Sequence, residues 1–225
     1  MLFSSITFLF YFLPLFLIVY FFTPQKYKNI PVLFFSFIFY FLGEPKYIFI
    51  LILSCILNYY LSKLIEKKQH SKLFLIISII YNVGQLVIFK YLDFIIDNIN
   101  NLLNLNIPYT YLVMPIGISF FTFQALGYVI DVYNKKHKSA QNLLEFMTYI
   151  SLFPQLIAGP IVRYSDVSKE LKKRELNFDD FGNGVKRFIV GLSKKVLLAN
   201  VLGEFASSLI DVTVVSSWLK PVLYT

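Results

Sequence analysis

Apolar residues occur in long runs separated by polar loops, a pattern that predicts a series of membrane-spanning helices. The runs are Ile6–Phe22, Ile30–Leu42, Tyr47–Leu61, Leu73–Phe89 and Tyr111–Ile130. Because about 20 apolar residues are needed to cross a bilayer, the second run is short and is predicted to tilt or to insert incompletely. The first run lacks the basic segment and cleavage site of a signal peptide, so we interpret it as a retained span.

Two further segments have apolar positions at the three- and four-residue spacing typical of amphipathic helices. One is Lys90–Asn106, and the other lies near residues 184–200, where Lys194 and Lys195 are on the polar face. Amphipathic helices of this kind lie in the membrane interface, and basic ones prefer anionic surfaces. Contact with the membrane surface is therefore the simplest interpretation of this lysine pair.

The stretch Leu152–Tyr164 interrupts the pattern because it is apolar but contains Pro154 and the pair Gly159 and Pro160. Broken backbone at membrane depth is tolerated only where protein buries it or water reaches it. The sequence therefore predicts a re-entrant segment that lines a polar cavity. The alternative is an ordinary kinked span whose Arg163 side chain extends to the interface. The predicted fold is an all-α, polytopic integral membrane protein with about five spans, this re-entrant element and interfacial amphipathic helices.

Charge alternates from loop to loop. Loops Thr23–Asn29, Lys63–Lys72 and Asp131–Lys138 are net positive, whereas Gly43–Lys46 is neutral and Lys90–Asn106 is negative. Because basic loops remain in the cytoplasm, the alternation predicts an extracytoplasmic N-terminus in a cell membrane of bacterial type. A re-entrant segment also keeps the basic stretch that follows it on the cytoplasmic side.

Composition agrees with this class, since 57% of residues are hydrophobic and 15% are charged, against roughly 25% charged in soluble domains. The net charge of +8 comes from lysine and arginine in loops, so we expect no nucleic-acid partner. A single cysteine, Cys55, excludes an internal disulfide. No phosphate loop, nucleophile elbow or metal-binding spacing occurs, and no metal site is predicted. The histidines His70 and His137 lie in basic loops and are interpreted as solvated.

Several longer motifs occur in a fixed order: Glu44–Tyr47, Met114–Gln124, Tyr128–Tyr133, Phe153–Tyr164 and Phe181–Ala199. They closely resemble the membrane-bound O-acyltransferase family, in the branch of the bacterial alginate O-acetylation protein. The resemblance implies a ring of helices around a thin centre. It also implies acyl transfer from a cytoplasmic thioester, acetyl-coenzyme A or an acyl carrier, to a polysaccharide outside. An extracytoplasmic acetyltransferase is an implied partner, with the lipid bilayer, and no bound cofactor is expected.

The resemblance also implies a catalytic histidine, which follows a characteristic segment that does not occur before Thr225. Neither His70 nor His137 matches it, so no catalytic residue is assigned. The match thus covers the N-terminal portion of such an enzyme, and we expect this chain by itself to transfer no acyl group. This expectation follows from chemistry, because acyl transfer to a hydroxyl needs a general base or a nucleophile.

Polar residues of the matching region are the candidate tunnel residues, because intramembrane polar groups are functional candidates by default. They are Gln124, Asp131, Gln155 and Arg163. The structural alternatives are hydrogen bonds between helices for the glutamines and interfacial pairing for Asp131 and Arg163. Basic candidates for the donor side are Lys172, Lys173, Lys194 and Lys195. Two other functions remain open: a transporter, although no internal repeat is present, and a non-catalytic membrane fragment.

Overall fold

A computed structural model describes residues 3–67, 71–156, 159, 161–174 and 177–210, and within these ranges every regular element is helical. Contacts divide the chain into two compact units, of which one is Pro14–Arg174 and the other combines the residues on either side of it. The helices are α1 (Leu13–Phe22), α2 (Asn29–Gly43), α3 (Ile48–Glu66), α4 (Ser71–Leu86), α5 (Leu92–Leu103), α6 (Ile118–Tyr133), α7 (Leu143–Ser151), α8 (Phe153–Leu156), α9 (Tyr164–Lys172), α10 (Phe178–Ser193) and α11 (Asn200–Ile210).

Two helices are long and apolar enough to cross a membrane by length and composition: α3, and a continuous helix from Ser71 to Leu103. Phe8–Phe22 and α6 are shorter apolar helices. Large apolar side chains point outward from several of these helices; Phe49 is 73%, Ile80 is 66% and Phe123 is 48% exposed. Exposed apolar surface on this scale is typical of helices that face lipid.

The predicted interfacial helix at Lys90–Asn106 is helical, but it does not begin anew. A π-helical turn, Val87–Tyr91, joins α4 to α5 within the helix that runs from Ser71 to Leu103. α5 ends at Asn104, whose φ of 50° is left-handed, a conformation that asparagine tolerates better than most residues. The separation between the fourth span and the amphipathic segment is therefore a change in polarity along one helix.

The fifth apolar run was predicted to be helical from Tyr111, and this is wrong for its first residues. Pro115 has no N–H, and Gly117 has a φ of +76°, so the helix begins only at Ile118. The preceding loop is fixed by carboxylates of α5. Asp93 accepts hydrogen bonds from the backbone N–H groups of Thr110 and Tyr111, at 2.8 and 3.0 Å. This loop therefore contains apolar residues that the sequence pattern assigns to a span.

Helices α3, α4 and α6 pack against one another to form the centre of the first unit. Between α3 and α4 lies a buried cluster of side-chain amides and hydroxyls. The Asn58 Oδ1 atom accepts hydrogen bonds from Ser78 Oγ at 2.9 Å and from Asn82 Nδ2 at 2.8 Å, and all three residues are fully buried. Such hydrogen bonds hold apolar helices together where hydrophobic burial gives no preference between lipid and protein. We call Asn58, Ser78 and Asn82 the polar layer.

The segment Leu152–Tyr164 breaks the helical ladder as its proline and glycine content predicts, but the break begins at Leu152. Its ψ of 109° ends α7, and Pro154 then lies in the first turn of α8, where its missing N–H has no cost. Residues 157, 158 and 160 of this stretch lie outside the described residues. α9 starts at Tyr164, after an extended Arg163. A membrane-embedded, re-entrant path therefore remains a prediction.

The second unit contains the helical residues 178–210, in which a π-helical stretch, Lys194–Ala199, joins α10 to α11. The helix begins earlier than the predicted position near residue 184. Asn177 caps α10 by accepting a hydrogen bond from the N–H of Asp179 at 3.0 Å, and two aspartates occupy the first turn, where the helix dipole favours negative charge.

Candidate functional site

A cavity of about 350 Å³ lies in the first unit between α6, α7 and the segment 161–164. Three of the four candidate tunnel residues line it: Gln124 and Asp131 from α6, and Arg163 from the extended segment before α9. Gln124 and Arg163 are 39 positions apart in the sequence, so it is the fold that brings them together. Aromatic rings of Tyr128, Tyr149 and Tyr164 complete much of the wall.

The turn that begins α6 and the end of α8 approach each other closely. A Cβ atom on Gly117 would lie 2.5 Å from the backbone oxygen of Leu156, and the left-handed φ of Gly117 also disfavours any larger side chain. Two of the motifs that carry the family resemblance therefore meet at this contact. α8 is further fixed to α2, because the N–H of Phe153 donates to Ser36 Oγ at 3.2 Å.

Tyr149 of α7 holds two walls of the cavity in place. Its phenol donates a hydrogen bond to the backbone oxygen of Val162 at 2.9 Å, and its own backbone oxygen accepts one from Gln124 Nε2 at 3.3 Å. Gln124 is thus bonded to a neighbouring helix, as the structural alternative proposed. Gln124 forms this bond and also lines the cavity.

Glu145 and Tyr164 form a buried hydrogen-bonded pair beside the cavity. Asn142 caps α7 by accepting from the N–H of Glu145 at 2.8 Å, and the Glu145 carboxylate accepts from the Tyr164 phenol at 2.5 Å and from the N–H of Gln141 at 3.0 Å. Burial raises the pKa of the Tyr164 phenol, and the adjacent Glu145 carboxylate raises this pKa further. The phenol therefore stays protonated at neutral pH and remains a hydrogen-bond donor to Glu145.

His137 is not a freely solvated loop residue, so that expectation is wrong. Its ring stacks on Tyr128, with centroids 5.4 Å apart, and contacts Tyr164 at 5.0 Å. Its Nε2 atom is buried and has no hydrogen-bond partner among the described residues. The lysine-rich loop around His137 borders a separate cavity of about 550 Å³. His70, the other histidine, lies outside the described residues.

Asp131 and Arg163 do not pair with each other. Asp131 forms an ion pair with Lys136 at 2.8 Å, and this is the one ion pair found between described side chains. Arg163 is exposed and lines the cavity, which leaves its guanidinium accessible to an anionic ligand. Within the described ranges, no group of three histidine, cysteine, aspartate or glutamate side chains is placed to hold a metal ion.

The remaining candidates lie elsewhere. Gln155, on α8, does not line the cavity; its Oε1 atom is buried and has no hydrogen-bond partner in the described part of the chain. Lys172 lines a different, smaller pocket, and Lys173 follows α9 in extended backbone. Lys194 and Lys195 open the π-helical stretch of the second unit.

Sequence reasoning missed the tyrosines and Glu145. Tyr128 and Tyr164 stand inside two of the resembling motifs but were not selected, because phenylalanine and tyrosine are abundant throughout this chain. A signal for Glu145 was present: an asparagine followed three residues later by a glutamate, Asn142 and Glu145, is a helix-capping pattern. That pattern would have placed a carboxylate at the start of α7.

The described residues define a class, an all-helical protein with two long apolar helices and a polar cavity between α6, α7 and the segment 161–164. Neither a family model nor a solved structure matches the chain. Its whole length is similar to the probable alginate O-acetylase AlgI of Azotobacter vinelandii, at 33% identity and covering 47% of that protein. The same is true of the probable alginate O-acetylase AlgI of Pseudomonas syringae pv. tomato, at 34% identity and 46% coverage.

A peptidoglycan O-acetyltransferase of Helicobacter pylori is also similar over the whole chain, at 30% identity, with 50% of that protein covered. The chain spans about half the length of the curated relatives it matches. Over its whole length the chain is homologous to these O-acetylases, which agrees with the resemblance of its motifs to the membrane-bound O-acyltransferase family.

Proposed function

We propose that this chain is part of a membrane O-acetyltransferase that transfers acetyl groups from a cytoplasmic thioester to hydroxyl groups of a polysaccharide outside the membrane. The observation that carries the proposal is similarity over the whole chain to O-acetyltransferases whose names specify two different extracytoplasmic polymers, alginate and peptidoglycan. Because these acceptors differ, the shared feature is the transfer of acetyl to a polymer hydroxyl. An alginate-like polymer is one acceptor class, and an extracytoplasmic acetyltransferase is a proposed partner.

In this reaction an acceptor hydroxyl attacks the thioester carbonyl, the thiolate leaves, and a general base takes the hydroxyl proton. We assign this region to binding and orientation, and the base to the histidine that the family resemblance implies. Arg163 is proposed to bind an anionic part of the donor, and its exposure on the cavity wall supports this role. Lys172, Lys173, Lys194 and Lys195 are proposed to raise the local concentration of a phosphate-bearing donor such as acetyl-coenzyme A or an acyl carrier.

The orientation that we propose has the N-terminus outside and the loop with Lys67 in the cytoplasm, with Leu152–Tyr164 entering and leaving on the cytoplasmic side. Cysteine labelling tests it, because the single native cysteine, Cys55, is buried and should react little. A membrane-impermeant maleimide applied to intact spheroplasts should label Ser5→Cys and leave Ser71→Cys unlabelled until the membrane is opened. Labelling of Ser71→Cys in intact spheroplasts would reverse the proposed orientation.

The function itself is tested by deleting the gene and measuring alkali-labile acetyl groups on each polysaccharide of the cell envelope. We expect one polymer to lose its acetyl groups and to regain them when the full-length gene is returned. Normal acetylation of every envelope polymer in the deletion strain would contradict the proposal.

A further inference from the structure

A smaller pocket of about 140 Å³, separate from both cavities described above, lies in the first unit, where the loop before α2 meets the start of α7 and the end of α9. Its residues differ from those of the Gln124 cavity. Four cations line it, Lys26, Lys28, Lys172 and Arg174, against one carboxylate, that of Glu145. The pocket is therefore strongly electropositive for its size.

Lys28 is the unusual member of this pocket. The residue is only 4% exposed, and its Nζ atom is buried without a hydrogen-bond partner in the described parts of the chain. It lies 4.4 Å from the centre of the Tyr20 ring, and the Arg174 guanidinium approaches the same ring at 5.8 Å. Burial lowers the pKa of Lys28, and the neighbouring charge of Arg174 lowers this pKa further. A cation–π contact thus compensates only part of its lost hydration.

The nearby carboxylate of Glu145 forms no ion pair with Lys28. Both oxygens of Glu145 accept hydrogen bonds from other groups, the Tyr164 phenol at 2.5 Å and the N–H of Gln141 at 3.0 Å. Among described side chains, the one ion pair is between Lys136 and Asp131, far along the sequence from this pocket. Two cations therefore approach one tyrosine ring, and neither forms an ion pair with a described carboxylate.

We propose that this pocket binds a phosphate group, held by Lys28 and Arg174 from within and by Lys26 and Lys172 at the rim. Phosphate offers several acceptor oxygens and two negative charges, which match a buried ammonium and the forked donors of a guanidinium. The phosphate could belong to a soluble phosphoester or to a lipid headgroup, and both share this chemistry. The inference does not depend on acyl transfer, because phosphate binding is measured directly.

The test uses the full-length gene product, purified in phospholipid-free detergent, and equilibrium dialysis with ³²P-labelled pyrophosphate. Lys28→Met keeps the apolar stem and removes the charge. We expect it to weaken pyrophosphate binding roughly tenfold or more, and we expect the same of Arg174→Gln. Lys63→Met is the matched control, because Lys63 also lies over a tyrosine ring, Tyr59, at 5.6 Å, but does not line the pocket. Its affinity should equal that of the parent protein, and added salt should weaken binding in both.

Thermal unfolding supplies a second measurement, in which the variant should be the more stable protein without pyrophosphate and should gain no stability when pyrophosphate is added. Without pyrophosphate, Lys28→Met should unfold at a higher temperature than the parent, because the variant no longer buries an unpaired charge. With pyrophosphate, the parent should gain stability and the variant should not. A Lys28-dependent gain that is larger in nanodiscs with phosphatidic acid than in nanodiscs with phosphatidylcholine assigns the phosphate to lipid. A gain with pyrophosphate in detergent assigns it to a soluble ligand.

The proposal is overturned if pyrophosphate and phosphatidic acid both fail to stabilise the parent. It is also overturned if Lys28→Met and Arg174→Gln bind both probes as tightly as Lys63→Met does.

Discussion

The polar layer and the Gln124 cavity both contain polar side chains among apolar helices, but they differ in how those groups are satisfied. In the polar layer, Asn58, Ser78 and Asn82 bond to one another and to backbone oxygens of their own helices. On the wall of the cavity, by contrast, Arg163 is exposed and forms no ion pair with a described side chain. A layer that satisfies itself needs no ligand, whereas a cavity with free hydrogen-bonding capacity can bind one.

The same contrast separates Glu145 from Lys28, although both line one small pocket. Glu145 has donors for both of its oxygens, whereas the Nζ atom of Lys28, among the described residues, contacts the face of the Tyr20 ring and has no hydrogen-bond partner. We infer that fully bonded polar groups position the helices, and that the incompletely bonded ones that line a cavity, such as Arg163 and Lys28, mark binding sites. The predictions below test this distinction, from the largest expected effect to the smallest.

Removing the centre of the polar layer should cost most. Asn58→Leu leaves the Ser78 hydroxyl and the Asn82 amide without their shared acceptor in a fully buried place. We expect the free energy of unfolding to fall by roughly 2–4 kcal/mol, because each deprived group costs about 1–3 kcal/mol. Thermal or denaturant unfolding in detergent micelles measures it.

Thr122→Val is the matched variant, and it should raise the stability that Asn58→Leu lowers. Thr122 is fully buried on α6, and its hydroxyl has no partner within the described ranges, so valine removes an unpaired polar group at almost constant volume. We expect stability to rise by roughly 1 kcal/mol. A loss as large as that of Asn58→Leu would show that the two kinds of polar group are not distinguished in this way.

Tyr164→Phe should destabilise the protein less than Asn58→Leu does, and its effect should depend on pH. The variant removes the hydrogen bond to Glu145, and we expect a loss of roughly 1–3 kcal/mol at pH 8. Because the folded protein raises the pKa of Tyr164, the contribution is complete below the ordinary tyrosine pKa of about 10 and declines as pH rises through the folded value. The difference in stability between parent and variant should therefore narrow at strongly alkaline pH. An equal difference at pH 8 and at pH 11 would argue against this bond.

The sequence predicted the helical class and the interruption at Leu152–Tyr164, because runs of apolar residues and the placement of proline and glycine are local properties. It also selected Gln124, Asp131 and Arg163, which the fold brings to one cavity. It did not predict the long helix through Tyr91, because a π-helical turn hides the change from an apolar to an amphipathic pattern. Lys28 was not selected either, since the pocket that it lines also needs residues at the end of α9, more than a hundred positions away.

The central claim is that the cavity acts in acetyl transfer and the polar layer only holds helices together. Acetyl transfer per folded molecule, measured in membranes that contain the full-length protein with labelled acetyl donor and polysaccharide, separates the two. Arg163→Gln should retain the parent's stability, because Arg163 is exposed, and should lose at least about tenfold in transfer at limiting donor, the effect of 1.4 kcal/mol of lost binding. Asn58→Leu should lose stability but keep the parent's transfer rate per folded molecule. Full activity in Arg163→Gln together with loss of activity per folded molecule in Asn58→Leu would contradict the account.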